Sequence, residues 1–289
     1  MTYSNTNVES NSDYKPTSHT ARKRFGQNFL QDASVIDNIL CAIGPASGDQ
    51  LVEIGPGQAA LTKPLIEQLA NNCALTLLEI DRDLAAQLKI QFGSDERVSI
   101  HLGDALDFDF TALHQQAEKP LRVFGNLPYN ISTPLIFHLL QQATAESSSN
   151  IISDMHFMLQ REVIDRMAAP PGNKTYGRLS IMTQYYCQVE PLFDVPPEAF
   201  SPKPKVMSAI VRLLPYKELP LKAEQPQILD KIVRAAFAQR RKTLRNGLKG
   251  LISAAELEAI NIDPSARAET LDIATFVNIS NTLTAKTTS

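Results

Sequence analysis

Cysteine is scarce in this sequence and badly placed for pairing. Cys41, Cys73 and Cys187 are odd in number, far apart and free of any C-x-x-C spacing. That argues against a disulfide framework or a zinc centre and fits a reducing compartment. Long apolar runs are missing too, since no stretch approaches the ~20 residues of a membrane span. The first twenty residues, MTYSNTNVESNSDYKPTSHT, lack the apolar core of a signal peptide, and residues 1–21 read as a disordered polar tail. Nor is there an excess of one charge. With a net charge of −3 over 289 residues the chain is no polycation, so any surface for nucleic acid must be a local patch. A soluble cytoplasmic protein, with no membrane and no metal, is expected. What is present is enough apolar residue, 43%, to fill a sizeable core in one large domain or two smaller ones.

From residue 50 onward, strand-like and helix-like stretches alternate. QLVEI (50–54), ALTLLEI (74–80), VSIHL (98–102), RVFGN (122–126) and a run near 152–159 read as strands. AALTKPLIEQLA (59–70), RDLAAQLKIQF (82–92), STPLIFHLLQQA (132–143), a stretch from about 161 and RLSIMTQYYC (178–187) read as helices. Regular alternation predicts βαβ units, an α/β fold and a parallel sheet. QVEPLFDV (188–195) and VMSAIVRLL (206–214) follow with no helix between them, which predicts an antiparallel sheet edge. After Pro215 only helical patterns remain. Residues 215–220 therefore read as a linker to a small helical domain, 215–289.

In open α/β sheets, ligands sit outside the carboxyl ends of the strands. Those ends carry Gly55 and Gly57, then Glu79, then Asp104, then Asn126 to Tyr129. EIGPGQAA satisfies G-x-G-x-x-A, but any tight βα turn could use the same glycines. Glu79 is placed to bind ribose hydroxyls and Asp104 to accept from an adenine amino group. A solvated strand-end charge and a turn cap are the ordinary alternatives. Together the three strand ends point to an adenosine cofactor, either NAD or S-adenosylmethionine.

The fourth strand end separates those two. An exocyclic adenine amine is a poor nucleophile because its lone pair is delocalised into the ring. Acceptors on its hydrogens, the Asn126 side-chain oxygen and the Leu127 carbonyl, favour a pyramidal nitrogen aimed at a sulfonium methyl. Pro128 presets the backbone and Tyr129 offers a face to the base. Positioning and hydrogen bonding carry such a step without a metal or a strong general base. An Asn-x-Pro turn with a core tyrosine fits the four residues alone about as well, but does not account for their place at the cofactor end of the sheet.

The segments RKRFGQNFL (22–30), EIGPGQAALT (53–62), LEIDRDLA (78–85), GDAL (103–106), VFGNLPYNIST (123–133), LQREV (159–163), YGRLS (176–180), FSPKPKV (200–206) and RAAFAQRRKTLRN (234–246) resemble, in order, those of the ribosomal RNA small-subunit methyltransferase A family, the adenine dimethyltransferases of 16S rRNA. NLPY is shared with adenine methyltransferases of the large subunit; the first segment and the last two point to the small-subunit enzyme. The resemblance implies a class I S-adenosylmethionine-dependent methyltransferase (Rossmann-like) sheet, spanning 22–214, followed by an all-α domain. It implies N6-dimethylation of two adjacent adenosines in the 3′-terminal hairpin of 16S rRNA within the immature 30S subunit, by a monomer. Carried over, the cofactor pocket would include Asn28, Leu30, Gly55, Glu79, Asp104 and Asn126. Tyr129 and Phe200 would flank the target base. Without the resemblance, Phe200 reads as a core aromatic and Asn28 as a turn residue ahead of a helix capped by Asp32.

One basic run remains: Arg240, Arg241, Lys242 and Arg245. From Lys217 to Gly250 nine Lys/Arg face three acidic residues, 9 − 3 = +6, in a chain of net −3. A solvated helix face is the common fate of such a run; here the asymmetry suggests an RNA-facing surface. Three competing functions use the same residues. One is a DNA adenine-N6 methyltransferase, for which no target-recognition segment is evident. Another is a non-enzymatic ribosome-assembly or transcription factor, against which the intact Gly55, Glu79, Asp104 and Asn126 set speaks. The last is an NAD enzyme.

Overall fold

The computed structural model describes residues 28–117, 119–129, 131–144 and 151–288, with the tail expected at 1–21 and the segment 22–27 outside them. In chain order the elements are β1 (Phe29–Leu30), α1 (Ala33–Ile43), β2 (Gln50–Ile54), α2 (Thr62–Gln68), β3 (Ala74–Glu79), α3 (Arg82–Phe92), β4 (Val98–Leu102), α4 (Phe110–Ala117), β5 (Leu121–Asn126), α5 (Ser132–Ala143), β6 (Ile152–Gln160), α6 (Arg161–Met167), α7 (Arg178–Tyr186), β7 (Cys187–Val195), β8 (Phe200–Ser201), β9 (Ser208–Pro215), α8 (Pro226–Phe237), α9 (Leu244–Gly247), α10 (Ala254–Ala259) and α11 (Ile273–Thr288).

Seven strands form one sheet in the order β4-β3-β2-β5-β6-β9-β7. The first five run parallel, and β9 and β7 pair antiparallel beyond β6. Chain reversal at β2, with β3 on one side and β5 on the other, creates the crevice in which such sheets bind ligands. The inner strands β2, β3 and β5 are almost wholly buried, as continuous apolar runs covered by helices on both faces must be. By contrast, β4 is the exposed edge. At the opposite end of the strands Arg122 holds the sheet together. It bonds to Asp49 at 2.6 Å, Asp154 at 2.9 Å and the Ile43 carbonyl at 2.5 Å.

Local signals account for most boundaries. Asp32 and Asp81 cap α1 and α3 through their carboxylates. Where the structure departs from the sequence reading, the cause is visible. The helix expected from residue 59 starts at Thr62, because the glycine loop continues through Ala59 at φ 65°. The short helix α4 and the two-residue pair β1–β8 are additions whose sequences lack a long period.

Among the described residues after 225, the regular elements are helices joined by turns. In α8, Leu229, Ile232, Val233 and Ala236 recur at helical spacing and are buried. They join the same apolar cluster as Phe157, Tyr176, Tyr185 and Phe276, so the C-terminal helices share their core with the sheet. Arg178 of α7 bonds to Asp230 of α8 at 2.7 Å. No helix of the described residues is long and apolar enough to cross a membrane.

Candidate active site

One cleft opens at the carboxyl ends of β2, β3, β4 and β5. It is lined by Asn28, Leu30, Gly55, Gly57, Glu79, Asp104 and Asn126 through Tyr129, which are the residues expected from the sequence except Phe200. Register places most of them there: the residues from Gly55 to Tyr129 stand at or just after the ends of parallel strands that finish side by side, while Asn28 and Leu30 come in from the separate β1–β8 pair.

The loop after β2 turns through positive φ at Gly55 (68°) and Gly57 (57°), a region that costs a side chain energy and a glycine almost none. This turn delivers the Gly57 amide to Glu79 Oε2 at 3.0 Å, while the Asp81 amide reaches Oε1 at 2.9 Å. Glu79 is 4% exposed. Burial raises its pKa, and the two amide bonds work against that rise. The carboxylate is thus fixed in orientation at the wall of the cleft. The exposed flank of Ile80, 47% accessible, and the buried Ala105 add apolar surface nearby. Asp104 accepts from the Leu106 amide at 2.9 Å through Oδ1, capping its own turn as the plainer reading foresaw. Its second oxygen has no hydrogen bond among the described residues. An anchored carboxylate for a ribose, an apolar flank for a base and an acceptor for an amino group fit an adenosine.

Asn126 presents a different chemistry. Its Nδ2 donates to the Asn28 carbonyl at 3.0 Å. That bond uses one of the two Nδ2 hydrogens and fixes the orientation of the amide, whose Oδ1 accepts no hydrogen bond from the described residues. Tyr129 is held by its hydroxyl, 2.7 Å from Ser208 Oγ on β9. Phe200 lies elsewhere: it pairs with Leu30 in the small β1–β8 ladder and is 5% exposed, inside an apolar cluster with Val35 and Ile210.

Two residues, one lining the cleft and one just behind it, carry weight that sequence reasoning missed. Glu53, the acid at the end of apolar β2, is 2% exposed and accepts from Thr62 Oγ1 at 2.7 Å. Burial, aided by the nearby Glu79 charge and opposed by Thr62, pushes its pKa up to about 8. The signal in the sequence is a carboxylate inside the otherwise apolar run of β2. Gly125 is the other. A Cβ there would stand 2.3 Å from the Ile54 carbonyl oxygen, so glycine is what lets β5 close on β2 just before Asn126.

The basic run divides. Arg240 donates to the carbonyls of Lys174 at 2.7 Å and Tyr176 at 3.0 Å, bracing the segment against the loop before α7. Arg241, Lys242 and Arg245 are exposed. An antiparallel bridge between Thr243 and Arg267 brings one more exposed arginine beside them.

The ribosomal RNA adenine dimethylase family model matches residues 18–285. The chain is 57% identical to the ribosomal RNA small subunit methyltransferase A of Pseudomonas aeruginosa, over 92% of this chain and 95% of that one. It is 54% identical to the protein of the same name from Chromohalobacter salexigens, over 92% and 93%. Among solved structures, a dimethyladenosine transferase from Plasmodium falciparum superposes with a TM-score of 0.72 at 26% identity, covering 87% of this chain and 95% of that one. The 23S rRNA methyltransferase ErmE superposes at 0.65 and 22% identity, covering 89% and 100%, which speaks for the shared fold.

Proposed function

The chain belongs to the ribosomal RNA adenine dimethylase family, and on that premise we propose that it dimethylates N6 of two adjacent adenosines in the 3′-terminal hairpin of 16S rRNA, within the immature small subunit, in the cytoplasm. S-adenosylmethionine, the cofactor of this family, supplies an electrophilic methyl group. Glu79 and Asp104 would hold its adenosine, with the Gly55–Gly57 turn letting the backbone approach.

The observation that carries the reading is the Asn126 amide. One Nδ2 hydrogen bonds to the Asn28 carbonyl and fixes the side chain, and Oδ1 stays open as an acceptor. With the Leu127 carbonyl, it would accept hydrogen bonds from the two N–H groups of an adenine amine and leave the nitrogen lone pair free to take the methyl as its bond to sulfur breaks. The amine would release one proton to solvent at each of the two transfers. Tyr129, fixed by Ser208, would present its ring to the base, a contact worth ~1–3 kcal/mol. Phe200 would support the wall behind Leu30. Arg241, Lys242 and Arg245 would meet RNA phosphates, with Arg240 bracing them.

The test is methyl transfer to naked 16S rRNA and to immature small subunits, with modified nucleosides identified by mass spectrometry. N6,N6-dimethyladenosine at two neighbouring positions is expected. Methylation of DNA or of large-subunit RNA instead would overturn the substrate. Thermal shift separates the cofactors: at ~100 Kd the right one adds ~2.7 kcal/mol, and NAD should add nothing.

A further inference from the structure

Beyond the exposed run at 240–245 lies a second basic feature. A groove of ≈570 Å³ between α9 and α10, flanked by the end of α11, is lined by Arg245, Asn246, Lys249, Ser253, Glu256 and Lys286 among others. Its construction follows from a short amphipathic pattern. Leu244 and Leu248 are buried at 1% and 0% exposure, which turns Arg245, Asn246 and Lys249 outward together. The Arg245 amide donates to the Pro264 carbonyl at 3.0 Å, so the arginine stands on anchored backbone.

Charge in the groove is unbalanced. Glu256 is its one acid, and that acid is fully occupied. Oε2 accepts from the Ser253 amide at 2.7 Å and hydroxyl at 2.6 Å, and Oε1 from Lys286 Nζ at 2.8 Å. Arg245 and Lys249 have no ion-pair partner among the described residues, unlike Arg97, Arg122, Arg161 and Arg212, each of which is paired. Three cations against one carboxylate leave a formal +2.

We propose that this groove is a phosphate subsite for the RNA backbone, with Arg245 and Lys249 as its principal contacts and Asn246 beside them. The proposal rests on the reading of the chain as an RNA-modifying enzyme. The Glu256–Lys286 bond keeps the groove's acid neutralised. A concave site with two free cations and a side-chain amide suits a phosphodiester, whose oxygens accept from several donors at once. It would extend the RNA footprint from the run at 241–242 to the far side of α9.

The test uses the full chain and immature small subunits, with affinity measured across a salt series for wild type, Arg241→Gln/Lys242→Gln and Arg245→Gln/Lys249→Gln. Loss of two phosphate contacts should lower the slope of log K against log salt by roughly 1.4–1.8, at ~0.7–0.9 per contact, in each double variant. If the groove variant keeps wild-type affinity and slope while the other loses them, the groove proposal fails and the RNA reading stands. If wild type itself shows no salt-dependent affinity, the RNA reading fails first. Affinity lost with the slope unchanged also overturns the phosphate assignment and points to an uncharged contact. Lys249→Gln alone, with the cofactor titration as a check on the fold, serves if the double variant is unstable.

Discussion

The hydroxyls of Tyr129 and Ser208 lie 2.7 Å apart, joining the loop after β5 to a strand 79 residues later. Ser208 is fully buried, so the contact both satisfies a hidden hydroxyl and sets the Tyr129 ring. Tyr129→Phe should keep the ring face and yet strand the serine, at about 1–3 kcal/mol. Tyr129→Phe combined with Ser208→Ala should recover much of that. Denaturant unfolding of the four proteins gives the coupling directly; a value near zero would mean that the hydroxyls do not bond in solution. Methyl transfer should fall further in Tyr129→Ala than in Tyr129→Phe.

Gly125→Ala should be among the most damaging small substitutions in the chain. Its Cβ would sit 2.3 Å from the Ile54 carbonyl oxygen, a backbone atom that can give way only by parting β5 from β2. A cost of about 1–3 kcal/mol or more is expected. Gly103→Ala makes the control, because a Cβ there meets nothing within 4 Å. Equal melting temperatures for the two variants would contradict the close approach.

Glu53 predicts a slope of stability with pH. Its folded pKa stands near 8, above the ordinary carboxylate value, so the folded state holds a proton that the unfolded chain has released. Stability should therefore fall as pH rises from about 4.5 to about 8. Glu53→Gln keeps an oxygen for Thr62 and removes the titration, and should flatten that fall. Unfolding midpoints at pH 5, 6, 7 and 8 decide it: parallel wild-type and variant curves would assign the slope to another group.

Glu79→Ala should weaken S-adenosylmethionine by about 1.5–3 kcal/mol, the worth of a charged hydrogen bond. It also frees the Gly57 and Asp81 amides, so the turn loosens along with the lost contact. Calorimetry that finds wild-type affinity would remove Glu79 from the cofactor site.

Arg240 and its neighbour should part company. Arg240→Ala breaks two bonds to loop carbonyls and, with the side chain 45% exposed, should cost about 1 kcal/mol of stability. The salt dependence of substrate binding should stay close to wild type. Arg241→Ala is expected to do the reverse, with an unchanged melting temperature and a shallower slope.

Much of this protein was legible from the linear chain because parallel strands read as apolar runs and their helices carry period and caps. The strand ends at Gly55, Glu79, Asp104 and Asn126 could be lined up without coordinates, since a doubly wound sheet puts every such end on one side. Asp32 could be assigned as a cap because capping is decided within three residues.

What only the tertiary structure decided are contacts whose partners lie far apart in the chain. Nothing in the neighbourhood of Tyr129 points to Ser208, and nothing around Arg240 points to the carbonyls of residues 174 and 176. Gly125 looks dispensable until β2 is beside it. Phe200 belongs to the wall behind Leu30 because two residues of β8 pair with two of β1, a ladder too short to leave a pattern. Glu53 has a shifted proton because helices and strands close over it. Local propensity and periodicity act over a turn or a strand, and they set the elements. Burial and long-range hydrogen bonding arise when those elements meet, and they set which side chains are free to act.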